Sequence, residues 1–108
     1  PTYTHDFARN VKLLIDKEYW GLYNMVCGGV TGRLEVAQEM LNILGMSGQI
    51  QITEVESDYF VDTYFAERPA SERLLTKKLN IRNVNVMRDW KICLAEYLEN
   101  YYQGYLDN

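Results

Sequence analysis

The chain has 108 residues and a mass of 12.7 kDa. That is one small domain, because a doubly wound nucleotide-binding domain alone takes about 150 residues. Hydrophobic residues make up 47% and charged residues 24%, a globular balance that excludes disorder, collagen and coiled coil, and no apolar run approaches the roughly 20 residues that span a bilayer. The net charge of −4 and the pI of about 4.9 argue against a nucleic-acid partner, which calls for a basic balance or patch.

Thr4 is placed as an N-cap, with Asp6 in the first turn facing the positive helix end. Phe7, Ala8, Val11, Leu14 and Ile15 then recur at helical spacing, which predicts an amphipathic helix over about 4–18. Leu22 to Cys27 forms a short β run ended by Gly28 and Gly29. Thr31 is set to cap a second helix with Leu34, Ala37, Met40, Leu41 and Leu44 on one face and Gly45 as its stop. Gln49 to Val55 alternates as a strand does. Ser57 caps one helical turn holding Tyr59 and Phe60, and Arg68-Pro69 marks a loop. Leu74-Leu75 is read as a two-residue strand, Thr76 as the cap of a short helix ending near Ile81, and Met87 to Tyr102 as the last helix. Two strands flanking one helix form a βαβ unit, so they are expected to pair in parallel through a right-handed crossover. The fold class expected is α/β: three or four helices with a small, mostly parallel sheet of two to three strands, one face of which has nothing here to cover it.

Charge is uneven along this order. Glu54, Glu56, Asp58, Asp62 and Glu67 fall in one stretch without a base. From Arg68 to Lys91 the balance reverses to seven bases against Glu72 and Asp89. Such a segment either forms a solvated face or holds a small phosphorylated ligand. Cys27 and Cys93 form no metal-ligand or CxxC spacing and are expected to be free buried thiols of a cytoplasmic protein. His5, the one histidine, suits a surface or capping role, and Asp58 with Asp62 has no further ligands for a metal. No serine has a base beyond His5, and no tyrosine has a lysine four residues on. Cys27 to Arg33 holds a Gly-rich turn between a strand and a helix. It is either an ordinary βα turn or an anion cradle, and it lacks both the dinucleotide fingerprint and the P-loop lysine. Four of the nine tyrosines fall between Tyr97 and Tyr105, where an apolar body with a polar tip suits an interface.

Five segments, in this order and spacing, carry a resemblance: Pro1-Thr2-Tyr3-Thr4-His5-Asp6-Phe7-Ala8, Gly21-Leu22-Tyr23-Asn24, Thr31 to Ala37, Arg68-Pro69-Ala70-Ser71-Glu72-Arg73-Leu74, and Arg88-Asp89-Trp90. Together they resemble the C-terminal substrate-binding part of extended short-chain dehydrogenases/reductases, and within these the dTDP-4-dehydrorhamnose reductase branch. The resemblance implies that residues 1–108 follow an N-terminal Rossmann domain, absent here, which binds NADPH and carries the catalytic tyrosine and lysine. It implies a nucleotide diphosphate sugar as substrate, reduced at its 4-keto group, with no catalytic residue, cofactor or metal held by this chain. It places Arg68 near the diphosphate, where a planar guanidinium pairs with phosphate oxygens. Ser71 and Glu72 stand where the family often has Asn-Ser, and they join Arg68 as candidate substrate contacts. Arg33 is a further candidate, following Gly32 where the family often has serine. A regulatory binding subunit of the same fold, or epimerase or dehydratase chemistry, stays open on the same grounds, as does a homodimer.

Overall fold

A computed structural model describes residues 1–63, 66, 69–102 and 104. Four helices appear among them: α1 (Thr4–Asp16), α2 (Arg33–Ile43), α3 (Lys77–Ile81) and α4 (Trp90–Tyr101). The helices stand close to their expected places, but two caps move. Tyr3 and Gly32 occupy the N-cap positions of α1 and α2, and neither helix has a side-chain cap there. Thr31 instead donates its hydroxyl to Glu35 Oε2 at 2.8 Å. The last helix starts three residues later than expected, because Asp89 caps it by accepting from the backbone N–H of Lys91 at 2.9 Å.

The expected parallel sheet is not present among the described residues. Among the described residues the only β pairing is an isolated parallel bridge between Gly28 and Asp89. In it Gly28 N–H donates to Arg88 O at 2.9 Å and Trp90 N–H donates to Gly28 O at 3.1 Å. The stretch at 22–27 therefore does not run beside 49–55. The 49–55 stretch keeps only Ile52 half-buried, with no ladder to either side. The fold class is corrected accordingly from an α/β domain to a helical one. The physical reason lies in where the extended 22–27 chain finds its partners: Cys27 N–H donates to Pro1 O and Leu22 O accepts from Lys78 Nζ, so neither turns to a neighbouring strand.

Two small apolar clusters hold the helices. Tyr3, Cys27, Trp90 and Cys93 form one, with Val36 and Leu94 against it. Leu14, Leu79, Val84 and Met87 form the other, with Leu13, Tyr23 and Met25 at its edge. α2 packs on α4. The radius of gyration is 17.1 Å and the extents are 48 × 37 × 20 Å, against roughly 13 Å for a compact chain of this length, so the molecule is a thin slab with much apolar surface outward. The buried face of α1 also differs from the periodicity reading. Asp6, Asn10 and Leu14 are its buried residues, whereas Phe7 is 40% and Ile15 53% exposed.

Three helices end in the same way. After α1, α2 and α3 one residue turns left-handed: Glu18 (φ 54°), Gly45 (φ 70°) and Asn83 (φ 53°). The next amide then reaches back to the last turn, as Tyr19 N–H does to Leu14 O at 2.9 Å. Gly45 is the stop expected from the sequence, and Asn tolerates this conformation. Glu18 has no such licence. Glu18→Gly is expected to raise the urea midpoint, by about 0.5–1 kcal/mol of stability, as the steric cost of a side chain at positive φ exceeds glycine's entropy cost. A lower midpoint would contradict the strain.

Candidate functional site

Asp6 and Asn10 lie one helical turn apart on α1 and both are fully buried. Asn10 donates from Nδ2 to Val84 O at 3.0 Å and accepts from Val86 N–H at 2.9 Å through Oδ1. Asp6 accepts from Arg88 N–H at 2.9 Å and from the Arg88 guanidinium at 2.8 to 3.1 Å. It also accepts from Arg9 and from the Cys93 thiol, the latter at 3.3 Å. Alternate residues 84, 86 and 88 are thus fastened to one helix face. Burial pushes the Asp6 carboxyl up, but the Arg88 side chain and amide, then Cys93 and Arg9, outweigh it and hold it well below the usual carboxylate range. Arg88 continues outward to Glu96 Oε2 at 2.6 Å, and Tyr3 donates its hydroxyl to Glu96 Oε1 at 3.4 Å.

This fastening sets the stretch that precedes α4 and, through α3, the stretch that follows the Arg-Pro loop. Asn85 donates from Nδ2 to Thr76 Oγ1 at 3.2 Å and to Asn80 Oδ1 at 2.7 Å. Asn24 donates to Leu75 O at 3.3 Å, and Lys78 donates to Leu22 O at 3.3 Å. The 22–24 and 75–78 stretches are therefore joined, and Ser71 and Glu72 precede that join in the chain. Ser71 and Glu72 are exposed, and Ser71 Oγ accepts from Arg73 N–H at 3.4 Å. Arg33 is exposed at the first turn of α2 and makes no ion pair among the described residues. Arg68 lies outside the described residues.

The Gly-rich turn does not fit a phosphate or a dinucleotide. The Gly28 amide is already donated to Arg88 O. A Cβ on Gly29 (φ 84°) would stand 2.7 Å from Asp89 Oδ2 and 2.8 Å from Trp90 Cδ1. The glycines serve the close approach of the α4 N-terminus, and a carboxylate occupies the place an anion would need. The residues of this chain thus hold no dinucleotide at that turn. A second anion candidate fails on charge. Arg9, Lys12, Leu13, Asp16, Val86 and Arg88 line an open groove of about 420 Å³. Arg9 and Arg88 share Asp6, Arg88 also meets Glu96, and Lys12 meets Asp16, so every cation there is spent on a carboxylate.

Cysteine chemistry is likewise closed. Cys27 and Cys93 are free and buried. Burial, then the bond to Asp6, pushes the Cys93 thiol up to about 12, so it is not a thiolate nucleophile at neutral pH. His5 stacks on Tyr3 at 5.0 Å and meets Tyr101 Oη at 3.0 Å, which joins the two ends of the chain rather than forming a base. Asp6, Asn10 and Arg88 are the residues that sequence reasoning missed as a unit. The available signal was the i, i+4 pair of short polar side chains on the stripe that continues to Leu14, set against the alternation Val84, Val86, Arg88.

The family model described as the RmlD substrate binding domain matches residues 1–103. The chain belongs to that family. It is a substrate-binding domain of the dTDP-4-dehydrorhamnose reductase type, as the five sequence segments imply. Neither curated proteins nor solved structures give a match. All five segments fall inside the matched span, and in this RmlD-type domain the described parts of three of them meet in the structure: Tyr3 and Asp6 on Arg88, with Val36 against the cluster of Tyr3 and Trp90. No helix among the described residues is long and apolar enough to cross a membrane.

Proposed function

We propose that this chain is the substrate grip of a nucleotide-sugar reductase, which reduces the 4-keto group of dTDP-4-dehydrorhamnose or a related sugar nucleotide in the cytoplasm. A Rossmann domain N-terminal to residue 1 supplies NADPH and the catalytic groups, and the 108 residues alone are inactive. The match to the RmlD substrate binding domain over residues 1–103 carries the reading, and the filled Gly-rich turn agrees with a cofactor held elsewhere. Arg68 binds the diphosphate, Ser71 and Glu72 hydrogen-bond beside it, and Arg33 adds a second cation. The exposure of Ser71 and Arg33 supports their being open to a ligand.

Arg68→Ala in the full-length protein is expected to raise KM by about ten- to a hundredfold, the loss of a charge-assisted bond of roughly 1.5–3 kcal/mol. Steady-state kinetics with the nucleotide sugar checks this, and an unchanged KM would remove Arg68 from the site.

A further inference from the structure

The chain that leaves the Arg-Pro loop is held by hydrogen bonds more than by packing. Leu74 is 50% and Leu75 68% exposed, so burial of these side chains does little to fix the backbone there. Two exposed amides, from separate stretches, meet it at adjacent residues. Asn24 donates to Leu75 O, and Asn85 donates to Thr76 Oγ1 and to Asn80 Oδ1. Asn85 is itself oriented, because its Oδ1 accepts from Met87 N–H at 3.0 Å. Behind Asn85 stands the buried pair of α1: Asn10 fastens Val84 and Val86, and Asp6 fastens Arg88.

Behind Asn24, α3 is clamped to the same stretch of chain. Lys78 donates to Leu22 O, and its Nζ lies 4.5 Å from the centre of the Tyr23 ring. Arg82 donates to Tyr23 Oη at 2.6 Å and lies 4.9 Å from the centre of the Tyr19 ring. Leu79, between the two cations, is fully buried. Residues 75–82 thus form a fixed post. Ser71 lies four residues before it, within about 14 Å of the Leu75 Cα at full extension.

On the reading of residues 68–72 as the substrate grip, we propose that Asn24 and Asn85 are its positioning residues: by fixing Leu75 and Thr76 they set where the grip stands. Both act through the loop rather than on the ligand. Ordering a backbone costs free energy. A loop already anchored at one end loses less freedom when the nucleotide diphosphate arrives, and it binds more tightly for that reason. Because both amides are exposed, their bonds add little to the stability of the fold, and their effect should be read in binding.

The test is steady-state kinetics of the full-length protein with the nucleotide sugar. Asn24→Ala and Asn85→Ala remove the donors without bringing a new charge near a diphosphate. Each should raise KM about three- to tenfold while kcat stays within twofold, since the loss falls equally on bound substrate and transition state. In the Arg68→Ala background the same changes should raise KM by less than a further twofold, because the contact they place is already gone. A general structural defect would instead multiply through both backgrounds and lower kcat. Melting temperatures check that the variants fold, and Asn24→Ser and Asn85→Ser replace any alanine variant that does not. An unchanged KM, a kcat that falls as KM rises, or full multiplication with Arg68→Ala would each overturn the proposal. Failure of the grip reading shows separately, as a KM that Arg68→Ala alone leaves unchanged, and it would overturn both.

Discussion

Asp6→Asn is expected to cost about 3–5 kcal/mol of folding stability, among the largest effects of any single change in this domain. The substitution keeps the shape of the side chain. It removes the negative charge that Arg88, Arg9 and the Cys93 thiol all address, and it leaves the guanidinium of Arg88 with Glu96 alone. The pH profile gives a second reading. The folded carboxyl is held below its ordinary value of 3.8, so its contribution is complete above about pH 4. That contribution is lost as the pH falls through the lower folded value. Urea midpoints of the wild type should therefore fall steeply below about pH 4, and the Asp6→Asn midpoints should lack this share of the slope. Parallel slopes would show that Asp6 is not the titrating anchor.

Asn10→Leu is the second large effect, at roughly 2–5 kcal/mol. Leucine has the same branching pattern and would be the better residue if the site were an ordinary apolar helix face. Here it would leave Val84 O and Val86 N–H buried without partners, each at a cost of about 1–3 kcal/mol. Hydrogen exchange at Val86 should accelerate in the variant, even where the rest of the fold stays protected. A stabilised variant would show that the side chain does not serve as the missing strand.

The two effects explain how much of this molecule was legible in its sequence. Helices were, because their apolar spacing, the Gly45 stop and the Thr76–Ile81 boundary are local signals. The sheet was not. Alternation at Gln49–Val55 and the β run at Leu22–Cys27 describe chains able to pair, and alternation does not say with what. In the structure the 84–88 stretch pairs with Asp6 and Asn10, a long-range choice made by two polar side chains. Periodicity assigned the neighbouring Phe7 and Ile15 to the core, and the helix dipole gave Asp6 only a place in the first turn. The candidate contacts rest on a resemblance instead of on local spacing. Arg68, Ser71, Glu72 and Arg33 came from ordered motifs shared with the RmlD family, whereas no local rule of spacing marks a surface arginine as a phosphate ligand. What the structure adds is how the chain that follows Ser71 and Glu72 is held: Asn24 on Leu75 O, and Asn85 on Thr76 and Asn80.

The family assignment and the proposed grip meet in one measurement, the oxidation of NADPH by the full-length protein in the presence of dTDP-4-dehydrorhamnose. Turnover should depend on the nucleotide sugar and be lost when residues 1–108 are expressed alone. No turnover with any nucleotide-linked keto sugar would contradict it.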